Sequence, residues 1–258
     1  MLRKKNLRNV IVWPLGLLAF IWLVSALGIL LPDYVLKLPY ALVPRDFSYL
    51  TGIFTSPFLH GDWAHLISNS IPFVSLTALL VFFYPRLWKR ALPTLYVGTG
   101  LFVWLAGRSY DYVSDTTISH IGASGVVYAL AAFLAASGIF RRDFRAVIVA
   151  LIVLFYYGGI MFTNIVPGTE GISWESHLLG LVVGALAGWF YRDELEEHEV
   201  EKRRADATRH QPRRKTHLLP PDAFTKTKAQ RKLEAEQEEQ LALWEKIERL
   251  KQEDRLRH

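Results

Sequence analysis

The chain of 258 residues contains no cysteine. That excludes disulfides, thiolate metal sites and a cysteine nucleophile, and it leaves the redox compartment open. Acidic residues are missing from its long apolar runs as well: no Asp or Glu falls clearly inside one. No internal repeat is evident either. A transporter or structural bundle with polar groups along a substrate path should show intramembrane acids or a second, symmetry-related half, so both absences count against it.

What the chain has in quantity is hydrophobic residues, 51% of the total. They are gathered into runs of membrane-spanning length, roughly 20 residues each. Six segments stand out, approximately Val10–Leu31, His65–Tyr84, Leu92–Ala106, Gly122–Phe140, Ala146–Val166 and His177–Tyr191. The third and sixth are short for a full crossing and are expected to extend into their flanks or to stop short of spanning. The first follows a basic start (Arg3, Lys4, Lys5, Arg8), as a signal peptide would. Its apolar run is too long for a signal peptide and no small-x-small cleavage site follows, so it reads as an uncleaved anchor.

The net charge of +6 is unevenly spread. From Arg192 onward 17 Lys/Arg face 16 Asp/Glu, and residues 1–191 hold the other 13 and 8. With the N-terminus in the cytoplasm and six crossings, the inner ends collect Arg3, Lys4, Lys5, Arg8, Arg86, Lys89, Arg90, Arg141, Arg142 and Arg145. The outer loops keep only Lys37, Arg45 and Arg108, together with most of the acids. This positive-inside pattern puts both termini in the cytoplasm; it is a topology signal and not a nucleic-acid footprint. The expected architecture is an all-α polytopic membrane domain, residues 1–191, followed by a charged cytoplasmic tail, residues 192–258. The first outer loop, Pro32–Ala64, is rich in aromatics, which suits a segment lying in the membrane interface. The tail is expected to open as a charged continuation of the last helix and to break near Gln211-Pro212 and Pro220-Pro221. A charged helix over Asp222–Leu256 follows, with a narrow apolar stripe of Leu243, Ile247 and Leu250.

Polar groups inside a bilayer must face protein or a water-filled cavity. Three clusters qualify, all at the outer ends of their helices. His65 and Asn69 lie four residues apart, hence on one helix face, and both can donate hydrogen bonds to a developing negative charge. Taken alone, the pair reads better as an interhelical polar clamp. Gly122-Ala-Ser124-Gly125 opens the fourth span, where helix amides are unpaired and favour an anion. Ser124 there can offer its hydroxyl for attack and its N–H to the resulting oxyanion, and Gly122 and Gly125 leave room for a substrate backbone and a partner helix. Small-residue helix packing would produce the same pattern.

His177 opens the sixth span and is followed by Gly180, Gly184 and Gly188, a smooth stripe on which another helix can pack closely. If that face packs on the fourth helix, His177 comes up to Ser124 at the same depth. A histidine there can take the serine proton during attack and return it to a leaving amine. By itself His177 is equally an interfacial histidine bonded to a loop. Together the three clusters bring a nucleophile, a base and oxyanion donors to one depth. Tyr128, one turn below Ser124, could pack its ring on His177 and fix its plane.

HLISN, GASGVVYAL and SHLLGLVVGALAG, in this order on spans two, four and six, resemble the rhomboid intramembrane serine proteases over roughly residues 45–190. The topology matches the basic six-span bacterial form, which implies an inner (plasma) membrane location. The resemblance implies a Ser124–His177 dyad without a third acid. It implies an oxyanion hole of His65, Asn69 and the Ser124 N–H, with Tyr128 stacked on His177. His60 matches a histidine the family often carries just before the second span. Also implied are transmembrane protein substrates, no metal or organic cofactor, and a water-filled cavity open to the outer side. A mobile fifth span and an outer cap loop, about Pro167–Trp174, would gate that cavity. Two departures stand out. Thr51-Gly52 occupies the place where many members carry a Trp-Arg pair, with Arg45 upstream, and Ser176 precedes the base where alanine is common.

The expected reaction is hydrolysis of a peptide bond in or beside a substrate's transmembrane helix. A catalytically inactive rhomboid-like protein that escorts membrane clients is the alternative, and its usual mark is loss of the serine or the histidine. The tail reads as solvated surface. A second reading is contact with a cytoplasmic partner or the membrane surface through Lys202–Arg204 and Arg213–Lys215.

Overall fold

A computed structural model of the protein describes residues 4–112, 115–141, 144–163, 165, 173–196, 199–201, 204–205 and 225–255. The chain divides into two compact units, Met1–Arg204 and Ala205–His258. Among the described residues the first unit holds six long helices: α1 (Lys4–Leu30), α2 (Trp63–Phe83), α3 (Trp88–Ala106), α4 (Ser124–Arg141), α5 (Phe144–Thr163) and α6 (Trp174–Phe190). Among the described residues three stretches are long and apolar enough to cross a membrane: Leu7–Leu30 of α1, all of α2 and all of α4.

The helix starts are set locally, and the short sixth segment extends into its flank as expected. Ser173 caps α6 by accepting from the Ser176 N–H, so that helix opens at Trp174, ahead of His177. In contrast α4 opens only at Ser124. Gly122, expected inside it, has φ +107°, which no right-handed helix accommodates.

Helix α4 lies at the centre and packs on α6, α5, α2 and α3. Its contact with α6 is backbone against backbone. A Cβ on Gly180 would sit 2.2 Å from the Gly125 carbonyl oxygen, and one on Gly184 would sit 2.2 Å from that of Ala129. Lipid gives apolar helices no hydrophobic reason to associate, so approach this close, with its dispersion contacts, is what holds them together. Helix α1 packs on α2 and on the loop before it, burying Pro14, Ile21, Ser25 and Gly28 and exposing Leu15, Phe20, Leu23 and Leu27. A helix apolar nearly all round suits lipid and not water.

Between α1 and α2 the chain runs through short helical turns at Lys37–Tyr40, Phe47–Tyr49, Gly52–Thr55 and Ser56–Phe58. Gly52 is packed so closely that a Cβ would lie 2.4 Å from the Ala41 carbonyl oxygen. Arg45 anchors this loop: its guanidinium donates to the carbonyls of Leu105 (3.2 Å) and Gly107 (2.7 Å). Those carbonyls end α3, where a cation also complements the helix dipole. A two-stranded hairpin, β1 (Tyr110–Asp111) against β2 (Thr116–Thr117), follows α3.

The chain does not continue α6 as a charged helix. It turns at Tyr191–Asp193, and the buried Glu196 accepts from the N–H groups of Arg86 (3.1 Å) and Leu87 (3.0 Å), just before α3. Glu199 accepts from Arg141 at 2.9 Å, and Arg141 donates to the Tyr191 carbonyl, also at 2.9 Å. Satisfying unpaired amides and a buried guanidinium outweighs another turn of helix, since each would be costly to leave unmet. The first compact unit therefore extends past residue 191 to Arg204.

The second unit contains α7 (Lys228–Arg255), started by a capping box in which Gln230 accepts from the Thr227 N–H at 2.8 Å. Leu243, Ile247 and Leu250 are exposed on it, with Trp244 beside them. The expected breaks at 211–212 and 220–221, and positions 167–172 of the expected cap loop, lie outside the described residues.

Candidate active site

The site is assembled where the loop before α4 meets the first turns of α2 and α6. Asp62 caps α2, its carboxylate accepting from the His65 N–H at 2.8 Å, which fixes His65 in the first turn. Asn69 follows one turn later on the same face and is buried. Both converge on Gly122. A Cβ there would meet His65 Cε1 at 2.7 Å and Nε2 at 2.8 Å, with Asn69 Nδ2 at 3.8 Å. The space beside Gly122 is therefore taken by the His65 imidazole, where an opening for substrate was expected. Asn69 Nδ2 has no hydrogen-bond partner among the described residues. A buried donor left idle costs free energy.

His60 is fully buried behind this pair, its ring edge-on to His65 with centroids 4.8 Å apart. Burial first, and the neighbouring His65 second, lower its pKa to about 3, so it is neutral at physiological pH. The Ser25 hydroxyl donates to the Phe58 carbonyl at 2.7 Å. It must then accept from His60 Nδ1 at 2.8 Å. That tautomer leaves Nε2 as the acceptor facing the Ala123 N–H at 3.4 Å. The Gly122 N–H donates to the Ser56 carbonyl at 2.9 Å. The two residues before Ser124 are thus both held through their amides.

Ser124 is the first residue of α4 and is partly exposed. Its own N–H belongs to the first turn, whose amides have no partner within the helix. One turn on, Tyr128 lies parallel to the His177 imidazole, centroids 4.2 Å apart and planes at 2°. Gly180 rests on Gly125 in the same layer. Gly184 belongs to the helix contact one turn further from the site, against Ala129.

Sequence reasoning missed His120, just ahead of the motif. It is buried, it exchanges backbone hydrogen bonds with Leu42 (2.8 and 3.1 Å), and its ring reaches Ser173, Ser176 and the Arg108 carbonyl. The one available signal was Ser176, polar where alanine is common. A cavity of about 20 Å³ lies behind the loop, lined by Ser56, Thr99, His120, Gly122 and Ser176 among others. It is large enough for about one water. Among the described residues no group of three or more His, Asp or Glu side chains could hold a metal ion.

Residues 48–194 match the family model described as Rhomboid domain. Uncharacterized proteins of Mycobacterium tuberculosis and Mycobacterium bovis are each 34% identical to this chain over 142 residues. An uncharacterized protein of Mycobacterium leprae is 33% identical over 145 residues. These matches cover 54% of this chain and 55–58% of the relatives, so the chain spans little more than half of their length.

Proposed function

This chain belongs to the rhomboid family, and from that premise we propose that it is an intramembrane serine endopeptidase using a Ser124–His177 dyad. The observation that carries this reading is the meeting of two helix starts. His177 is stacked on Tyr128, one turn from Ser124, and the α4–α6 glycine contact closes beside them. The idle amide of Asn69 and the imidazole of His65 lie across Gly122, suited to receive an oxyanion.

The chemistry then runs in two halves. The Ser124 hydroxyl attacks the scissile carbonyl carbon while His177 takes its proton, and negative charge builds on the carbonyl oxygen. Asn69 Nδ2, the His65 ring and the Ser124 N–H donate to that oxygen. The C–N bond breaks, and His177 returns the proton to the leaving amine. Water attacks the acyl-serine, gives a proton to His177, and the carboxylic acid leaves as Ser124 regains its hydrogen. A helical substrate hides its carbonyls in its own hydrogen bonds. It must unwind at the cleavage point, which favours helix-destabilising residues nearby and a small residue at the scissile position.

In this reading all six helices of the first unit cross the inner membrane of a bacterium, with both termini in the cytoplasm. The positive-inside charge pattern supports that orientation. The α7 helix, with its exposed Trp244, Ile247 and Leu250, offers a further surface to a cytoplasmic partner beside the basic clusters Lys202–Arg204 and Arg213–Lys215.

Purified protein in detergent is expected to cleave a reporter transmembrane segment, and Ser124→Ala and His177→Ala should each abolish cleavage. Activity surviving Ser124→Ala would overturn the dyad. An inactive wild type that still binds the reporter would favour the client-escort alternative.

A further inference from the structure

We propose, resting on the protease reading above, that His120 is a positioning residue that clamps the loop carrying Ser124 to the helix start carrying His177. Its main chain is fixed to the first outer loop by two hydrogen bonds with Leu42, 2.8 and 3.1 Å long. Its ring reaches two other segments. Nε2 lies 3.0 Å from the Arg108 carbonyl, which can only accept, so Nε2 carries the proton. Burial lowers the His120 pKa and keeps the ring neutral, which makes Nδ1 an acceptor.

Nδ1 lies 2.5 Å from the Ser173 hydroxyl and 3.3 Å from that of Ser176, and the two hydroxyls are 2.6 Å apart. Ser173 is the N-cap of α6, and Ser176 immediately precedes His177. One imidazole therefore joins the α3–α4 connection to the first turn of α6. The charged groups facing it, Arg108 and Glu175, pair with each other and tie the same two segments a second time. Arg108 also lies over the Trp174 ring, 5.5 Å from its centroid.

A clamp is needed there because of how α4 and α6 pack. A glycine stripe sets the distance between two helices but, being smooth, resists sliding poorly. Directional hydrogen bonds at the helix start supply the register, and a misplacement of about 1 Å at a reacting pair can cost on the order of 100-fold in rate. Ser176 gains a role in the same way, since its hydroxyl belongs to the bridge, which an alanine could not extend.

The test uses the full chain in detergent and the reporter cleavage assay, with His120→Ala, His120→Asn and His120→Gln. For His120→Ala, kcat is expected to fall about 10–100-fold, with KM and the unfolding temperature close to wild type. His120→Asn should recover most of the loss, because its side-chain oxygen reaches the place of Nδ1 and can accept from Ser173. His120→Gln reaches only the place of Nε2 and should not. A kcat for His120→Ala within twofold of wild type would overturn the proposal. So would equal behaviour of the Asn and Gln variants, or a loss of rate that merely tracks a loss of stability.

Hydrogen exchange supplies a readout that needs no catalysis. In His120→Ala the amides of Gly122–Gly125 and Ser176–His177 should exchange faster, with those of mid-α2 unchanged. Unchanged exchange at both segments would overturn the clamp even if the enzyme is active. If the wild type does not cleave, the protease reading fails, while faster exchange at both segments still supports the clamp.

Discussion

Gly184→Val is expected to lower the unfolding temperature and the rate of reporter cleavage together, and both strongly. The atom a side chain would meet at position 184 is the Ala129 carbonyl oxygen, 2.2 Å from the new Cβ, with the Phe133 amide nitrogen at 2.9 Å. Both are main-chain atoms of a hydrogen-bonded helix, so no rotamer change can relieve the overlap. Helix α6 must move away from α4, giving up dispersion contacts along the stripe at a cost of about 1–3 kcal/mol or more. His177 travels with α6, and Ser124 stays with α4. Thermal unfolding in detergent and cleavage kinetics measure the two effects side by side. An unfolding temperature equal to wild type would mean that the two helices are not in backbone contact.

Gly122→Ala is expected to lower the cleavage rate strongly and the unfolding temperature only slightly. The backbone there has φ +107°, which strains an L-residue by about 1–3 kcal/mol. The added methyl would also lie 2.7 Å from His65 Cε1. Unlike the Ala129 carbonyl, His65 is a side chain at the open end of α2 and can swing aside. The protein keeps its fold by giving up a donor to the oxyanion. Loss of one such donor costs roughly 100-fold in kcat or more, against a drop in unfolding temperature of about a few degrees. Kinetics and calorimetry on the one variant check both. A kcat near wild type would remove His65 from the oxyanion site.

These two glycines mark the extent to which the site was legible in the sequence. Gly180, Gly184 and Gly188 repeat every fourth residue, and a regular period survives folding, so the α6 face was readable and the neighbour it packs on could be inferred. Gly122 belongs to a turn, where no period exists. Its left-handed backbone depends on Ser56, His60 and His65, brought to it by the first outer loop and the start of α2. The long apolar runs gave the helices away, whereas their ends depended on single caps such as Ser173. Arg45, Glu196 and His120 act through carbonyls, amides or hydroxyls far away along the chain. Nothing in the local spacing of those residues announces such partners. His120 in particular stands next to the motif without declaring itself, because its meaning lies in Ser173 and Ser176, more than fifty residues later.

The central claim is that Ser124 is a nucleophile activated by His177 where two helices begin. The most direct measurement treats the detergent-purified protein with a serine-reactive fluorophosphonate and maps the modified residue by mass spectrometry. Covalent labelling confined to Ser124, lost in His177→Ala with the fold intact, is the expected result. An unlabelled Ser124 in folded wild-type protein, or labelling equally strong without His177, would contradict it.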